Sequence, residues 1–173
     1  MITVICGTHR PKNQTLRVVK KYIEILKGLN QEVDVLSMDE LPTDFLASDT
    51  FGKRTLEVEQ LVQHKLIPAE RFVIISPEYN GSYPGVLKAF FDGMDHTMWK
   101  GKKVALVGVA SGRAGNLRGM DHLTDVCHFL RMEVFSLKVP ISKWYDLIDG
   151  EGQLDDTETL DLLKTQAEEF LKF

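Results

Sequence analysis

The chain has 173 residues, 43% hydrophobic and 27% charged, a balance that suits one soluble domain, 1–173, with a substantial core. A formal net charge of −4 argues against a general nucleic-acid surface, and no apolar run is long enough to span a membrane. Two cysteines, Cys6 and Cys127, form neither a Cys-x-x-Cys pair nor a disulfide framework. They read as buried thiols in a reducing, cytoplasmic setting, and the N-terminus lacks a signal-peptide layout.

Strand and helix patterns alternate from the start. Ile2–Cys6 is an apolar strand, and a helical pattern follows over about Thr15–Leu29. Glu32–Leu36 reads as a second strand. Met38–Arg54 is irregular yet carries Leu41-Pro42, Phe45-Leu46 and Phe51-Gly52, which points to a lid or to packing against a partner. A helix over about Thr55–Leu66, a strand over Phe72–Ser76, a helix over Gly85–Met98 and a strand over Lys103–Ala110 come next. Then follow a helix over Asn116–Arg131, a strand over Glu133–Val139 and, after Pro140–Asp156, a helix over Thr157–Phe170. The Pro140–Asp156 stretch, with Trp144-Tyr145-Asp146, is expected to be an ordered surface connection rather than a substrate-facing one. Five strands alternating with five helices imply an α/β sandwich. Its parallel sheet carries helices on both faces, and right-handed crossovers lead to strand order 2-1-3-4-5.

Three loops fall at carboxyl ends of strands, where open α/β sheets bind ligands. The first is Gly7-Thr8-His9-Arg10-Pro11-Lys12-Asn13-Gln14-Thr15. It runs into a helix start, whose N–H groups and macrodipole favour an anion. Thr8, Asn13 and Thr15 add donors, and Arg10 and Lys12 add charge, with Arg able to grip phosphate through two nitrogens. The run matches neither Gly-x-Gly-x-x-Gly nor Gly-x4-Gly-Lys-Ser/Thr. The second loop lies within Ser76-Pro77-Glu78-Tyr79-Asn80-Gly81-Ser82-Tyr83-Pro84-Gly85-Val86-Leu87-Lys88. Pro and Gly shape a backbone that can approach a flat ring, Tyr79 offers a face or an edge, and Asn80 offers an amide. The third is Ser111-Gly112-Arg113-Ala114-Gly115-Asn116. The first loop would take a phosphate and the other two would hold a ring.

The Ser76–Asp92 block resembles the Pro-Glu-Tyr-Asn-Gly-Ser-x-Pro-Gly-x-Leu-Lys signature of the NADPH-dependent FMN reductase family, which has a flavodoxin-like fold. Gly7-Thr8-His9-Arg10 is similar to that family's Gly-Ser-x-Arg turn, and Ser111–Gly115 to its third flavin loop. The resemblance implies a three-layer flavodoxin-like sandwich with a five-stranded sheet. It implies FMN as cofactor, its phosphate held by Thr8, Arg10, Asn13 and Thr15. Pro77, Glu78, Tyr79, Asn80 and Gly81 would wrap the isoalloxazine, and Ser111, Gly112, Arg113 and Gly115 would close its other edge. The first loop departs from the family pattern at Thr8, Asn13 and Thr15, but each substitute keeps a donor. The implied activity is hydride transfer from NAD(P)H to FMN and on to a flavin, quinone, azo compound or metal ion, in a ping-pong cycle. A flavodoxin-type electron carrier is the alternative. The modest charge favours the enzyme, and an empty interaction module sits poorly with three donor-rich loops.

No Ser-His-Asp or Cys-His order stands out, which fits chemistry carried by a flavin. Arg113 can meet the flavin, a nicotinamide phosphate or only solvent. Lys88 points away from the strand ends. His122 and His128, six residues apart, do not share a helix face as metal ligands would, and Asp121, His122 and Asp125 read as surface charge. The helix Gly85–Met98 carries Val86, Leu87, Phe90, Phe91 and Met94, with Met98 and Trp99 at its end, more apolar residues than one core stripe uses. With the family resemblance, this leads to an expected homodimer or homotetramer with the cofactor near the interface.

Overall fold

Only a strand covered on both faces can be apolar at every position, and three of the apolar runs become the central strands. A computed structural model describes residues 1–173. Its first half contains β1 (Ile2–Cys6), α1 (Thr15–Gly28), β2 (Val33–Ser37), α2 (Phe45–Ser48), α3 (Leu56–Leu61), β3 (Arg71–Pro77) and α4 (Gly85–Gly93). The second half contains β4 (Lys103–Val109), α5 (Leu117–Phe129), β5 (Glu133–Val134), β6 (Val139–Ile141) and α6 (Thr157–Lys172). All pairings are parallel, in the order β2-β1-β3-β4-β5, with β6 also against β4. The expected order 2-1-3-4-5 is therefore observed. Alternation along the strands divides the core in two. Ile5, Phe72, Ile74, Val104 and Leu106 pack with α3, α4 and α5, while Val4, Val73, Ile75, Ala105 and Val107 pack with α1 and α6.

Three elements differ from the sequence reading, each for a local reason. The strand expected over Glu133–Val139 is interrupted, so the sheet has six strands. Buried Gln166 of α6 reaches into the break, and its Nε2 donates to Leu106 O at 3.0 Å and Leu137 O at 2.6 Å. A side-chain amide thus takes the place of ladder hydrogen bonds at the edge. The helix expected over Gly85–Met98 stops at Gly93, where a Cβ would stand 3.0 Å from Phe45 Cζ and 3.3 Å from Thr50 Cα. Its apolar excess is mostly core, since Leu87, Phe90, Phe91, Met94 and Trp99 are all buried. The helix expected over Thr55–Leu66 widens after Leu61 into a π-turn, Val62–Leu66. The Lys65 carbonyl there accepts from the Thr3 hydroxyl at 2.6 Å, which satisfies a polar side chain inside the central strand β1.

Candidate functional site

The register of the strands sets the three loops side by side. Cys6 is level with Ile75, and Ser76 and Pro77 are level with Gly108 and Val109. The first loop leaves β1 in close contact with β3, as Gly7 N–H donates to Ile75 O at 2.8 Å. A Cβ on Gly7 would lie 3.2 Å from that same carbonyl and 3.0 Å from Leu87 Cδ2, so this exit suits glycine. Thr8 is fully buried behind the rim. Its Oγ1 lies 2.8 Å from the Tyr79 hydroxyl and accepts from Arg10 N–H at 3.2 Å. One hydrogen bond therefore ties the first loop to the second.

Asn13 organises the turn from within. Its Oδ1 accepts from Leu16 N–H at 2.8 Å, and its Nδ2 donates to Arg10 O at 2.9 Å. The first turn of α1 carries no acidic residue, so its unpaired N–H groups meet no competing carboxylate there. In the second loop, Tyr79 and Ser82 exchange backbone hydrogen bonds of 2.8 and 3.1 Å. Asn80 and Gly81 between them adopt φ of 53° and 79°. This is the Asn-Gly hairpin turn that needs left-handed conformers at both central residues. Glu78 N–H donates to Val109 O at 3.0 Å, which pins the loop to β4. The third loop is anchored by buried Asn116, whose Nδ2 donates to Ser76 O at 2.9 Å.

A cavity of about 360 Å³ opens between these loops, in the range of small-ligand sites. Of the residues expected at the site, Arg10, Asn13, Thr15, Pro77, Glu78, Tyr79 and Ser111 border it directly. Asn80 borders an adjoining hollow with Arg10 and Tyr79, and Gly112 and Arg113 border another with Ser111. Thr8 sits directly behind Tyr79. Gly81 and Gly115 line none of these hollows. Gly81 completes the hairpin turn, while Gly115, at φ 53°, packs on β6, where a Cβ would lie 2.9 Å from Pro140 Cα.

One wall was not anticipated. Trp144 and Tyr145 border the cavity, which corrects the reading of Pro140–Asp156 as a mere surface connection. Trp144 is 2% exposed; its N–H donates to Ala110 O at 3.1 Å and its Nε1 donates to Gln14 Oε1 at 3.3 Å. The signal was present, because these aromatics follow the carboxyl end of β6 just as the other loops follow their strands. An expected strand ending at Val139, short of the observed Ile141, hid it.

The charges around the mouth are mostly positive. Arg10, Lys12, Arg113 and Lys143 are exposed there, and Glu78 lies 3.8 Å from Arg118. Neither thiol competes as a nucleophile. Burial pushes Cys6 up to about 11, with a hydrogen bond to Ser37 partly offsetting it, and burial pushes Cys127 up to about 12. His122 Nδ1 meets Ser82 Oγ at 2.8 Å, and Asp121 pairs with Lys138 at 2.9 Å.

A parallel sheet in this order with a cradle of loops at its carboxyl rim defines a flavodoxin-like protein. The profile of one family, NADPH-dependent FMN reductase, matches residues 1–146. The 2-hydroxy-1,4-benzoquinone reductase of a Burkholderia species is 28% identical over 130 residues, 72% of this chain and 71% of that protein. An NADPH azoreductase of Bacillus sp. (strain OY1-2) is 31% identical over 122 residues, 70% of this chain and 65% of that one. Among solved structures, the flavoenzyme NAD(P)H:(acceptor) oxidoreductase FerB of Paracoccus denitrificans superposes with a TM-score of 0.81 at 23% identity, covering 99% of this chain and 94% of that one. The chain belongs to the NADPH-dependent FMN reductase family. It is an NAD(P)H-dependent oxidoreductase with FMN as its cofactor, which decides between the enzyme and the electron carrier. No helix is long and apolar enough to cross a membrane.

Proposed function

We propose that the cradle seats FMN with its phosphate on the first loop and its ring between the second and third, and that NAD(P)H and an oxidised acceptor use one open face in turn, in a ping-pong cycle. The observation that carries this reading is the 2.8 Å contact between Thr8 Oγ1 and Tyr79 OH, which makes the phosphate loop and the ring loop one unit. The residues fit the group. Arg10 and Thr15 stand at an acid-free helix start, where a phosphate is favoured. The N–H groups of Asn80, Gly112 and Arg113, which border the adjoining hollows, donate to no backbone carbonyl of the chain and so are free for the edges of a flavin ring. FMN when bound supplies the acceptance and release of a hydride equivalent. The protein's part is to fix the ring, offer donors to its developing negative charge and limit access. Trp144 and Tyr145 add an aromatic border to the cradle.

The acceptors are small oxidised molecules such as a quinone, an azo compound, a free flavin or a metal ion; relatives are named for the first two. Two buried, unpaired thiols accord with a reducing cytoplasm. A second copy of the chain would cover a groove of about 790 Å³ between α4 and α5. Phe129 at its edge is 86% exposed, and the rim carries both Arg54 and Lys88 and Asp92, Asp95 and Asp125, so a two-fold copy can pair opposite charges. A monomer mass by light scattering at micromolar protein would rule out this homodimer.

The decisive test is a visible spectrum of purified protein, followed by anaerobic titration with NADH and NADPH. Yellow protein that bleaches without a second protein is expected, and failure to gain flavin absorbance on mixing with FMN defeats the reading. Arg10→Ala sharpens it. Loss of one charged hydrogen-bond donor should weaken FMN by roughly tenfold or more while sparing riboflavin, which has no phosphate. Equal loss for both would make Arg10 a scaffold residue.

A further inference from the structure

The cradle accounts for Arg10 and Lys12 but leaves two cations on its other flank without a role. Arg113 of the third loop and Lys143 just beyond β6 border a hollow of about 430 Å³ together with Ser111, Gly112, Tyr145 and Asp146. Ser111 and Tyr145 also border the cradle, so the two spaces adjoin. The backbone keeps the segments that carry these cations together. Lys143 N–H donates to Gly112 O at 2.8 Å, and the Ser142 hydroxyl donates to Arg113 O at 2.7 Å. Lys143 takes a left-handed φ of 48°, uncommon outside glycine, and its neighbouring hydrogen bonds hold it there. Lys65, Lys88, Lys138 and Arg118 each reach a carboxylate within 4.0 Å, but Arg113 and Lys143 form no ion pair. Asp146 is the one carboxylate bordering the hollow, which leaves it net positive.

We infer that Arg113 and Lys143 seat the 2′-phosphate of NADPH and so select NADPH over NADH. The inference rests on the FMN reading: with the cradle occupied, NADPH is the co-substrate that brings a further phosphate to its edge. A phosphate monoester carries about 1.5 to 2 negative charges at neutral pH. That charge matches one guanidinium fork and one ammonium. NADH presents a hydroxyl at the same point and gains little from either cation.

The test uses 2′-phospho-ADP-ribose and ADP-ribose, neither of which reacts. Their binding is measured by calorimetry on FMN-saturated protein and again on flavin-stripped protein. The wild type should prefer the phosphorylated ligand. Arg113→Ala combined with Lys143→Ala should cut that preference roughly 10- to 100-fold, and Lys143→Arg should retain it. The ratio of KM values for NADH and NADPH should fall by a similar factor. Equal wild-type binding of both ligands would overturn the inference, as would parallel loss of both in the double variant. An unchanged preference with a raised KM for a sulfonated azo dye alone would assign the cations to the acceptor instead, and also overturn it. Protein that takes up no FMN defeats the cradle reading, whereas the preference measured on stripped protein still judges the phosphate seat. Both side chains are exposed, so thermal unfolding should scarcely move and misfolding will not mask the result.

Discussion

The two long connections, Met38–Arg54 and Pro140–Asp156, look alike as sequence and end in different places. Both mix aromatic residues with acidic turns. The first sends Leu41 and Phe45 into the core, Phe45 beside Gly93 at the end of α4, and leaves Leu46 and Phe51 in solvent. The second tucks Trp144 against the cradle and holds Tyr145 at its edge. Place in the sheet does not separate them, since β2 pairs only with β1 and β6 only with β4, and the loops after β1 and β4 both border the site. The difference lies in the partners each connection finds: Phe45 packs at the end of α4, whereas Trp144 N–H donates to Ala110 O and its Nε1 to Gln14 Oε1, which holds the second connection at the rim. What a connection does is set by these long-range contacts, and only then by its composition.

The largest effects should separate the two directly. Phe45→Ala and Trp144→Ala each empty a buried site, 3% and 2% exposed, and each should cost about 3–5 kcal/mol of stability by denaturant unfolding. Only Trp144→Ala should also weaken FMN, since only Trp144 borders the cavity and bonds Gln14 beside the first loop. A matching loss of FMN affinity in Phe45→Ala, measured on folded protein, would erase the contrast.

The exposed aromatics give a smaller and cleaner version. Tyr145 is 64% exposed and Phe51 is 90% exposed, so replacing either with Ala should change stability by under about 0.5 kcal/mol. Tyr145→Ala should still lower the affinity for flavin or nicotinamide several-fold, about 0.5–1.5 kcal/mol for a lost aromatic contact. Phe51→Ala should leave both affinities unmoved. Fluorescence titration of FMN reads the first effect and inhibition by nicotinamide nucleotides the second.

The same contrast explains what was legible beforehand. Ile2–Cys6, Phe72–Ser76 and Lys103–Ala110 announce themselves because a strand buried on both faces reads as a near-continuous apolar run. The three loops after them follow from position alone. Side-chain commitments were hidden, because they depend on neighbours distant in sequence. Asn13 reads as a donor but is spent on Leu16 and Arg10, and Asn80-Gly81 reads as a ring contact but is first a hairpin turn. The break in the last strand was equally hidden, since it depends on Gln166 reaching over from α6. Trp144 was missed because its strand is only three residues long and lies beyond that break.

The smallest expected effect concerns pH, and here the two connections converge. Each contains an aspartate that organises the helix after it. Asp49 is buried, which raises its pKa, but hydrogen bonds from Ser48 and from the Thr55 N–H and hydroxyl, with the nearby Arg54 charge, outweigh burial and hold it below the ordinary 3.8. Asp156 caps α6 by accepting from Thr159 N–H at 2.8 Å, and hydrogen bonds from Thr159 lower its pKa too. A carboxylate depressed in the folded state contributes stability that is fully present above its unfolded pKa and is lost as pH falls through its folded pKa. Asp49→Asn and Asp156→Asn should therefore lower the melting temperature at neutral pH, and the gap to wild type should close as pH falls below about 4. Neither variant should alter FMN affinity at pH 7, because neither carboxylate borders the cradle. A gap that stays constant down to pH 3 would mean that neither carboxylate changes its proton affinity on folding, and that the Asn variants lose stability through the added amide group rather than through the lost charge.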